Sequence, residues 1–263
     1  MNGIINLTFL QVGLSYFFVL IVLAIVRIRG IAREKEIIIS SLRMTLQLIL
    51  TGYILVYVFH YPNPLLTGAI ILIMEAFSIY TIFKKFKGNL SNPLKKVIGF
   101  SMSIGTISCL LYFLLIVIRI TPWYNPQYFV PIAGMFIGNS MTGISLGVKS
   151  LLEGMTTQKA LVEEALILGA TPQVATKTII NSTFDSAIMP TIQSMVGMGI
   201  VFLPGMMTGQ ILSGTTPTTA ISYQIAIMLG ILGSVALTVI LFLQMGYRTF
   251  FNQEDQLNED ISV

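Results

Sequence analysis

A chain of 263 residues that is 54% hydrophobic and 10% charged, with a mean hydropathy of +0.83, is an integral membrane protein, because soluble domains carry about 25% charged residues. The length holds several spans but no separate globular domain, and the one cysteine, Cys109, lies in an apolar run, which excludes a disulfide framework and a cysteine metal site. The net charge of +4 gathers at membrane edges rather than in a nucleic-acid-binding patch, and no G-x-x-x-x-G-K-[ST] phosphate loop occurs. Any ATP that drives this chain is hydrolysed by another polypeptide.

A span needs about 20 apolar residues, and the chain offers seven such runs, near 4–26, 37–59, 64–83, 97–119, 127–148, 187–213 and 219–247. The expected fold is therefore all-α and polytopic, with a transmembrane domain over 1–248. The first run has no basic residue before it and no small-residue cleavage site after it, so it reads as a span rather than a signal peptide. Basic residues set the orientation. Arg27, Arg29, Arg33 and Lys35 follow run 1; Lys84, Lys85, Lys87, Lys95 and Lys96 follow run 3; Lys149, Lys159 and Lys177 follow run 5; Arg248 follows run 7. Thirteen of the fifteen thus share one side, which by the positive-inside rule is the cytoplasm, with the N-terminus outside and the C-terminus inside a cell membrane. Outer loops are short, and Trp123 and Tyr124 suit the headgroup level. The acidic, apolar-poor stretch 249–263 is expected to be a disordered cytoplasmic tail.

Two ionisable side chains fall inside runs: Arg43 and Glu75. Each costs about 2.5–3.5 kcal/mol at a span centre, and they lie about 9 and 12 Å deep from the inner edge at 1.5 Å per residue. Antiparallel neighbours would pair them, either as a packing device or within a transport path. Arg43, Gln47 and Thr51 form an i, i+4, i+8 polar stripe. In run 5, Gly134-x-x-x-Gly138 and Gly143-x-x-x-Gly147 give a close-packing face, within the chain or in a dimer. Asn139 on the same run needs a polar partner on a neighbouring helix, or else lines the path. His60 is the only histidine and stands in an outer loop, and no buried base accompanies the serines, so neither a histidine metal site nor a serine hydrolase is expected.

Between runs 5 and 6 lies a soluble-looking insert, a cytoplasmic loop over 149–186 built as a helix-turn-helix. Thr156 or Thr157 is placed to cap its first helix, with Leu161, Ala165 and Leu168 on one face and Gly169 as the left-handed stop. Thr171 then caps a second helix that opens on Pro172. Glu163 and Glu164 read either as solvated charges or as part of a docking surface. Run 6 is interrupted at Leu203-Pro204-Gly205, where a missing N–H and a flexible residue predict a kink or break. Such a break either packs helices or exposes carbonyls to cargo. Met206 and Gln210 share a face, with Met207 beside them, and Met195 and Met198 lie close in sequence. They are core filler or weak soft-metal donors; no metal ligand set is assigned.

The stretch Glu163-Glu164-Ala165, three residues, then Gly169-Ala170-Thr171 resembles the EAA-type loop of ABC-transporter permeases, which docks into a groove on the ATPase subunit. Asn181 and Ser182 stand where many importers carry Leu-Pro. LPGMMTGQIL at 203–212, with PIAGMFIGNSM at 131–141, is similar to the Fet-type iron-export permease family, which includes plant permeases linked to aluminium tolerance and nucleotide-sugar export. The resemblance implies a permease subunit with no catalytic residues, working as a homodimer beside two ATPase subunits that bind ATP and Mg. It assigns ATPase coupling to Glu163, Glu164, Ala165, Gly169, Ala170, Thr171 and Pro172. The intramembrane path would draw on Arg43, Gln47, Glu75, Asn139, Pro204, Gly205, Met206, Met207 and Gln210. Iron is the implied cargo; another metal or a nucleotide sugar in the same architecture, or an ATP-independent channel or carrier, are the alternatives.

Overall fold

The computed structural model describes residues 7–258. Among them the chain is a series of helices, as a hydrocarbon environment requires of a backbone that must satisfy its own hydrogen bonds. In order these are α1 (Phe9–Ile28), α2 (Glu34–His60), α3 (Pro64–Lys85), α4 (Asn92–Tyr112, prolonged by a π-helical turn Phe113–Ile118), α5 (Pro126–Thr157), α6 (Lys159–Ile167), α7 (Pro172–Ala175), α8 (Lys177–Gly197), α9 (Gly205–Leu212) and α10 (Pro217–Gly246). Four of the helices start the same way. Asn63, Ser91, Asn125 and Thr216 each cap a helix through a side-chain oxygen, with proline at its first or second position. Proline costs no hydrogen bond there, and the cap supplies an acceptor for an otherwise orphaned N–H.

The chain divides into two compact units. In the first (Met1–Pro62 with Leu212–Gly214), α1 packs on α2, and the Tyr16 hydroxyl bonds that of Thr45. In the second (Asn63–Ile211 with Thr215–Val263), α5 is the central helix, in contact with α3, α4, α8 and α10. Its buried side chains, among them Phe136, Ile144, Val148 and Leu151, form the middle of the core. α10 lies against α4 so closely that a Cβ on Gly105 would stand 2.3 Å from Thr238 Oγ1 and 2.8 Å from its Cα.

Six helices among the described residues are long and apolar enough to cross a membrane, not the seven expected: α1, α2, α3, α4 with its π turn, α5, and α10 with the turn that follows it. The expected run 187–213 is the difference. α8 ends at Gly197, residues 198–204 turn, and α9 has only 8 residues, about 12 Å of helix. α8 has 21 residues but carries Lys177, Asn181, Asp185 and Gln193, too polar a composition for a hydrocarbon span. The backbone explains the break. Gly199 takes φ +84, its N–H bonds to the Phe202 carbonyl at 2.9 Å, and the Gly197 carbonyl accepts from Val201 and Phe202.

α5 runs on past the expected end at 148 to a total of 32 residues, about 48 Å against a hydrocarbon thickness of about 30 Å. α8 packs along it antiparallel. A Cβ on Gly154 would meet Ile179 Cγ2 at 2.6 Å, Ser150 bonds Thr183 at 3.3 Å, and Gly147 and Gly143 both face Ala187. The Gly143 and Gly147 face is thus used within the chain, against α8 and α10, and Gly134 approaches Met74 of α3. The result is a two-helix stalk with α6 and α7 at its tip. The expected loop 149–186 therefore contains the last turns of α5 and the first of α8, and its helix-turn-helix narrows to 158–176.

Of the stretch 249–263, expected as a disordered tail, residues 259–263 lie outside the described residues. The part before them is folded. A 3-10 turn, Tyr247–Phe250, buries both of its aromatic rings, the Asn252 side chain accepts from Glu254 and Gln256 N–H at 2.9 Å each, and Asn258 N–H returns to the Phe250 carbonyl at 2.9 Å.

Candidate functional site

The knob at the tip of the stalk is built by local rules. α6 ends in a Schellman arrangement: Gly169 takes φ +87, its N–H bonds the Leu166 carbonyl at 2.9 Å, and Ala170 N–H bonds the Ala165 carbonyl at 2.9 Å. Glycine reaches this left-handed backbone without the strain a Cβ brings. Thr171 flanks the start of α7 with an extended backbone but makes no side-chain cap. Its carbonyl accepts from Val174 and Ala175 N–H instead. Pro172 is the first residue of α7 and is buried. α7 lasts four residues, and Thr176 after it is fully buried with its hydroxyl bonded back to the Pro172 carbonyl at 2.7 Å. Thr156 and Thr157 do not cap α6. They lie inside the last turn of α5, and their hydroxyls bond the Leu152 and Glu153 carbonyls.

The knob has an inner and an outer face. α6 begins at Lys159, so Val162 and Leu166, at i and i+4, are the residues that meet the core. Leu161 and Leu168, read as sharing one face, both point away from the core and are 64% and 87% exposed; Ile167 is 84% and Val174 62% exposed. Glu163 and Glu164 are exposed beside them, and Glu163 makes a loose pair with Lys159 at 3.8 Å. Surface pairs of this kind contribute little. The exposed apolar side chains are the knob's distinctive feature.

The folded C-terminal turn flanks the knob. Thr171, Pro172 and Gln173 share a cleft of about 490 Å³ with Tyr247, Arg248 and Asn252. Sequence reading missed both Thr176 and this turn. The Asn252-x-Glu254 spacing was the available signal for the turn, since an asparagine carbonyl readily accepts from an N–H two residues on.

Arg43 and Gln47 lie on exposed positions of α2 in the first unit. Asn139 does not reach a neighbouring helix; its Nδ2 donates to the Met135 carbonyl one turn back at 2.8 Å, and it is exposed on α5. Pro204 precedes α9, and its carbonyl accepts from Thr208 N–H at 2.9 Å and hydroxyl at 3.0 Å. Gly205 opens α9 on an exposed position. Met207 is buried, whereas Met195, Met198 and Met206 pack at the edge of the core, and the Gln210 carbonyl accepts from Thr215 N–H at 3.0 Å. Gln224 Nε2 donates toward Met198 sulfur at 3.8 Å. No group of three or more His, Cys, Asp or Glu that would hold a metal ion occurs among the described residues.

A buried polar seam runs where α3, α4, α5 and α10 pack. Thr106 donates to the Met102 carbonyl at 2.6 Å, Ser101 to Val97 at 2.7 Å, Ser78 to the Glu75 carbonyl at 2.8 Å and Thr238 to Ser234 at 2.6 Å. Ser140 and Ser234 bond each other at 3.0 Å. Glu75 is 3% exposed, and neither carboxyl oxygen has a hydrogen-bond partner among the described residues.

The family model that matches describes an uncharacterised protein family, UPF0014, and covers residues 9–251. The chain belongs to the UPF0014 family. It is 32% identical to a UPF0014 membrane protein of Synechocystis over 97% of this chain and 98% of that one. It is 30% identical to the probable iron export permease protein FetB of Escherichia coli over 96% of this chain and 95% of that one. The protein named Aluminum Sensitive 3 of Arabidopsis thaliana is 33% identical over 89% and 84%. No solved structure matches. The UPF0014 chain is thus a polytopic all-α membrane protein, as its composition and helices require.

Proposed function

We propose that this UPF0014 permease is the membrane subunit of an ATP-driven exporter, with a separate ABC-type ATPase gripping the α6–α7 knob. The observation that carries the proposal is the exposure of Leu161, Ile167, Leu168 and Val174 at the tip of the α5–α8 stalk. Covering an isoleucine or leucine completely contributes about 1.5–3 kcal/mol, so a groove that receives these side chains is favoured over water. Glu163 and Glu164 at the rim suit steering and register rather than raw affinity. The stalk gives the grip leverage, because α8 continues into the turn at 198–204 and α5 into the centre of the core. In this reading the knob lies on the cytoplasmic side with the C-terminus, two permeases form the dimer, and ATP and Mg are held by the partner. Movement of the knob by ATP-driven closure rocks α5 and α8 and opens the path beside Pro204, Gly205, Met206, Met207 and Gln210. The cargo proposed is iron, which the name of the Escherichia coli relative supports.

Inside-out vesicles holding the permease and a candidate ATPase test this directly. Iron uptake that needs ATP and both subunits is the expected result. ATPase stimulation by another metal or by a nucleotide sugar, without iron uptake, would replace the cargo and keep the architecture. Iron movement independent of ATP and of any partner would overturn the proposal.

A further inference from the structure

The donor account around Glu75 assigns a ligand to that residue. A buried ionised carboxylate needs hydrogen-bond donors or a cation, because an isolated charge in a low-dielectric interior costs far more than any single contact returns. Four hydroxyls of the seam, on Ser78, Ser101, Thr106 and Thr238, offer acceptors instead. The Thr106 hydroxyl is near enough to interact with the Glu75 carboxyl, yet neither carboxyl oxygen accepts a hydrogen bond of ordinary geometry, and the Thr106 proton is directed to the Met102 carbonyl. Ser78, Ser101 and Thr238 likewise spend their protons on carbonyls of their own helices. Each of these hydroxyls therefore has lone pairs to offer and no hydrogen.

Cations are distant along the helices that pack on α3. Lys84 and Lys85 follow Glu75 by nine residues or more on α3, about 13 Å. On α4, Lys95 and Lys96 are ten or more residues from Thr106, about 15 Å, and Cys109 faces the groove between α4 and α10. On α5, Gly134 marks the level of Met74, and Lys149 and Glu153 stand at least fifteen residues beyond it, about 22 Å. One carboxyl group facing one free lone pair is too few donors for a metal ion and suits a hydrogen nucleus.

We infer that Glu75 is a proton-binding site, occupied in this conformation, in which the neutral carboxylic acid turns to donate to Thr106 Oγ1. The proton links α3 to α4 across the seam, completing the chain Glu75 to Thr106 to the Met102 carbonyl. If the helices part and water enters, the O–H bond breaks heterolytically, the proton passes to water and the carboxylate keeps the electron pair. The site then senses opening of the α3–α4 contact, independently of which cargo the permease moves.

Infrared spectroscopy of the full chain in nanodiscs at neutral pH tests this. The wild-type spectrum should contain a protonated-carboxyl C=O band above the amide region. Glu75→Gln, neutral and of the same shape, should lose that band while melting at the wild-type temperature. Thr106→Val, which keeps shape and removes the acceptor, should shift the band to higher frequency, and it carries the assignment should Glu75→Gln fail to fold. A wild-type spectrum without the band, or a band that survives Glu75→Gln, would overturn the inference. So would a band absent from wild type that emerges only in Arg43→Gln, since that would mean an ionised Glu75 with arginine as its counter-ion.

Discussion

The α6–α7 knob and the α3–α4 seam depart from ordinary burial in opposite directions. At the knob, Ile167 and Leu168 are 84% and 87% exposed although nothing in the Schellman turn needs them. At the seam, a carboxyl group is 3% exposed without a hydrogen-bond partner among the described residues. The knob's apolar surface has no cover within the described chain, and in the proposed reading the ATPase supplies it. The seam's carboxyl is buried, and in the inferred state it is resolved within, by a proton. Changes at the knob should therefore alter coupling and leave stability alone, whereas overpacking the seam should lower stability and leave coupling alone.

The largest expected effect is at the knob. Ile167→Asp with Leu168→Asp removes two side chains whose cover contributes about 1.5–3 kcal/mol each, so affinity for the ATPase should fall by about a hundredfold or more. Its melting temperature should stay at the wild-type value, measured alongside ATP-driven uptake; a double variant that unfolds would show these residues to be structural. Next comes the seam. Gly105→Ala places a Cβ 2.8 Å from the Thr238 backbone, and overpacking of this kind costs about 1–3 kcal/mol. A lower melting temperature with unchanged ATPase affinity is expected. The smallest effect should come from Gly169→Ala, where no heavy atom lies within 4 Å of the new Cβ and only the φ of +87 is penalised, by about 1 kcal/mol. Faster proteolysis confined to the knob, without a change in global melting, is the expected signature.

What the sequence made legible follows the range of each signal. Four helix starts are readable because a capping residue and a proline act within two positions, as at Asn63-Pro64 and Thr216-Pro217. Gly169 was readable for the same reason. The break at 198–204 was misplaced because hydropathy counts apolar side chains and is blind to the backbone. Ile200, Val201, Phe202 and Leu203 are as apolar as a span, but Gly197 and Gly199 turn the chain among them. α5 extends past Val148 because Leu151, Leu152 and Met155 continue its buried stripe, which carries the helix through Gly154 and the two threonines. That the face shared by Leu161 and Leu168 is the outer one was not readable, because which stripe meets the core depends on where α6 starts and how it packs. Asn139 shows a different limit: an asparagine satisfied by the carbonyl one turn back looks, in sequence, the same as one that needs a neighbour. The bareness of Glu75 was not readable at all, since it depends on where the hydroxyls of other helices send their protons.

Hydrogen exchange of the nanodisc-embedded permease, with and without its ATPase, tests the central claim most directly. Protection of peptides across 158–176 on adding the ATPase, lost in the Ile167→Asp, Leu168→Asp variant, is the predicted result. Unchanged exchange at the knob while ATP-driven transport proceeds would contradict it.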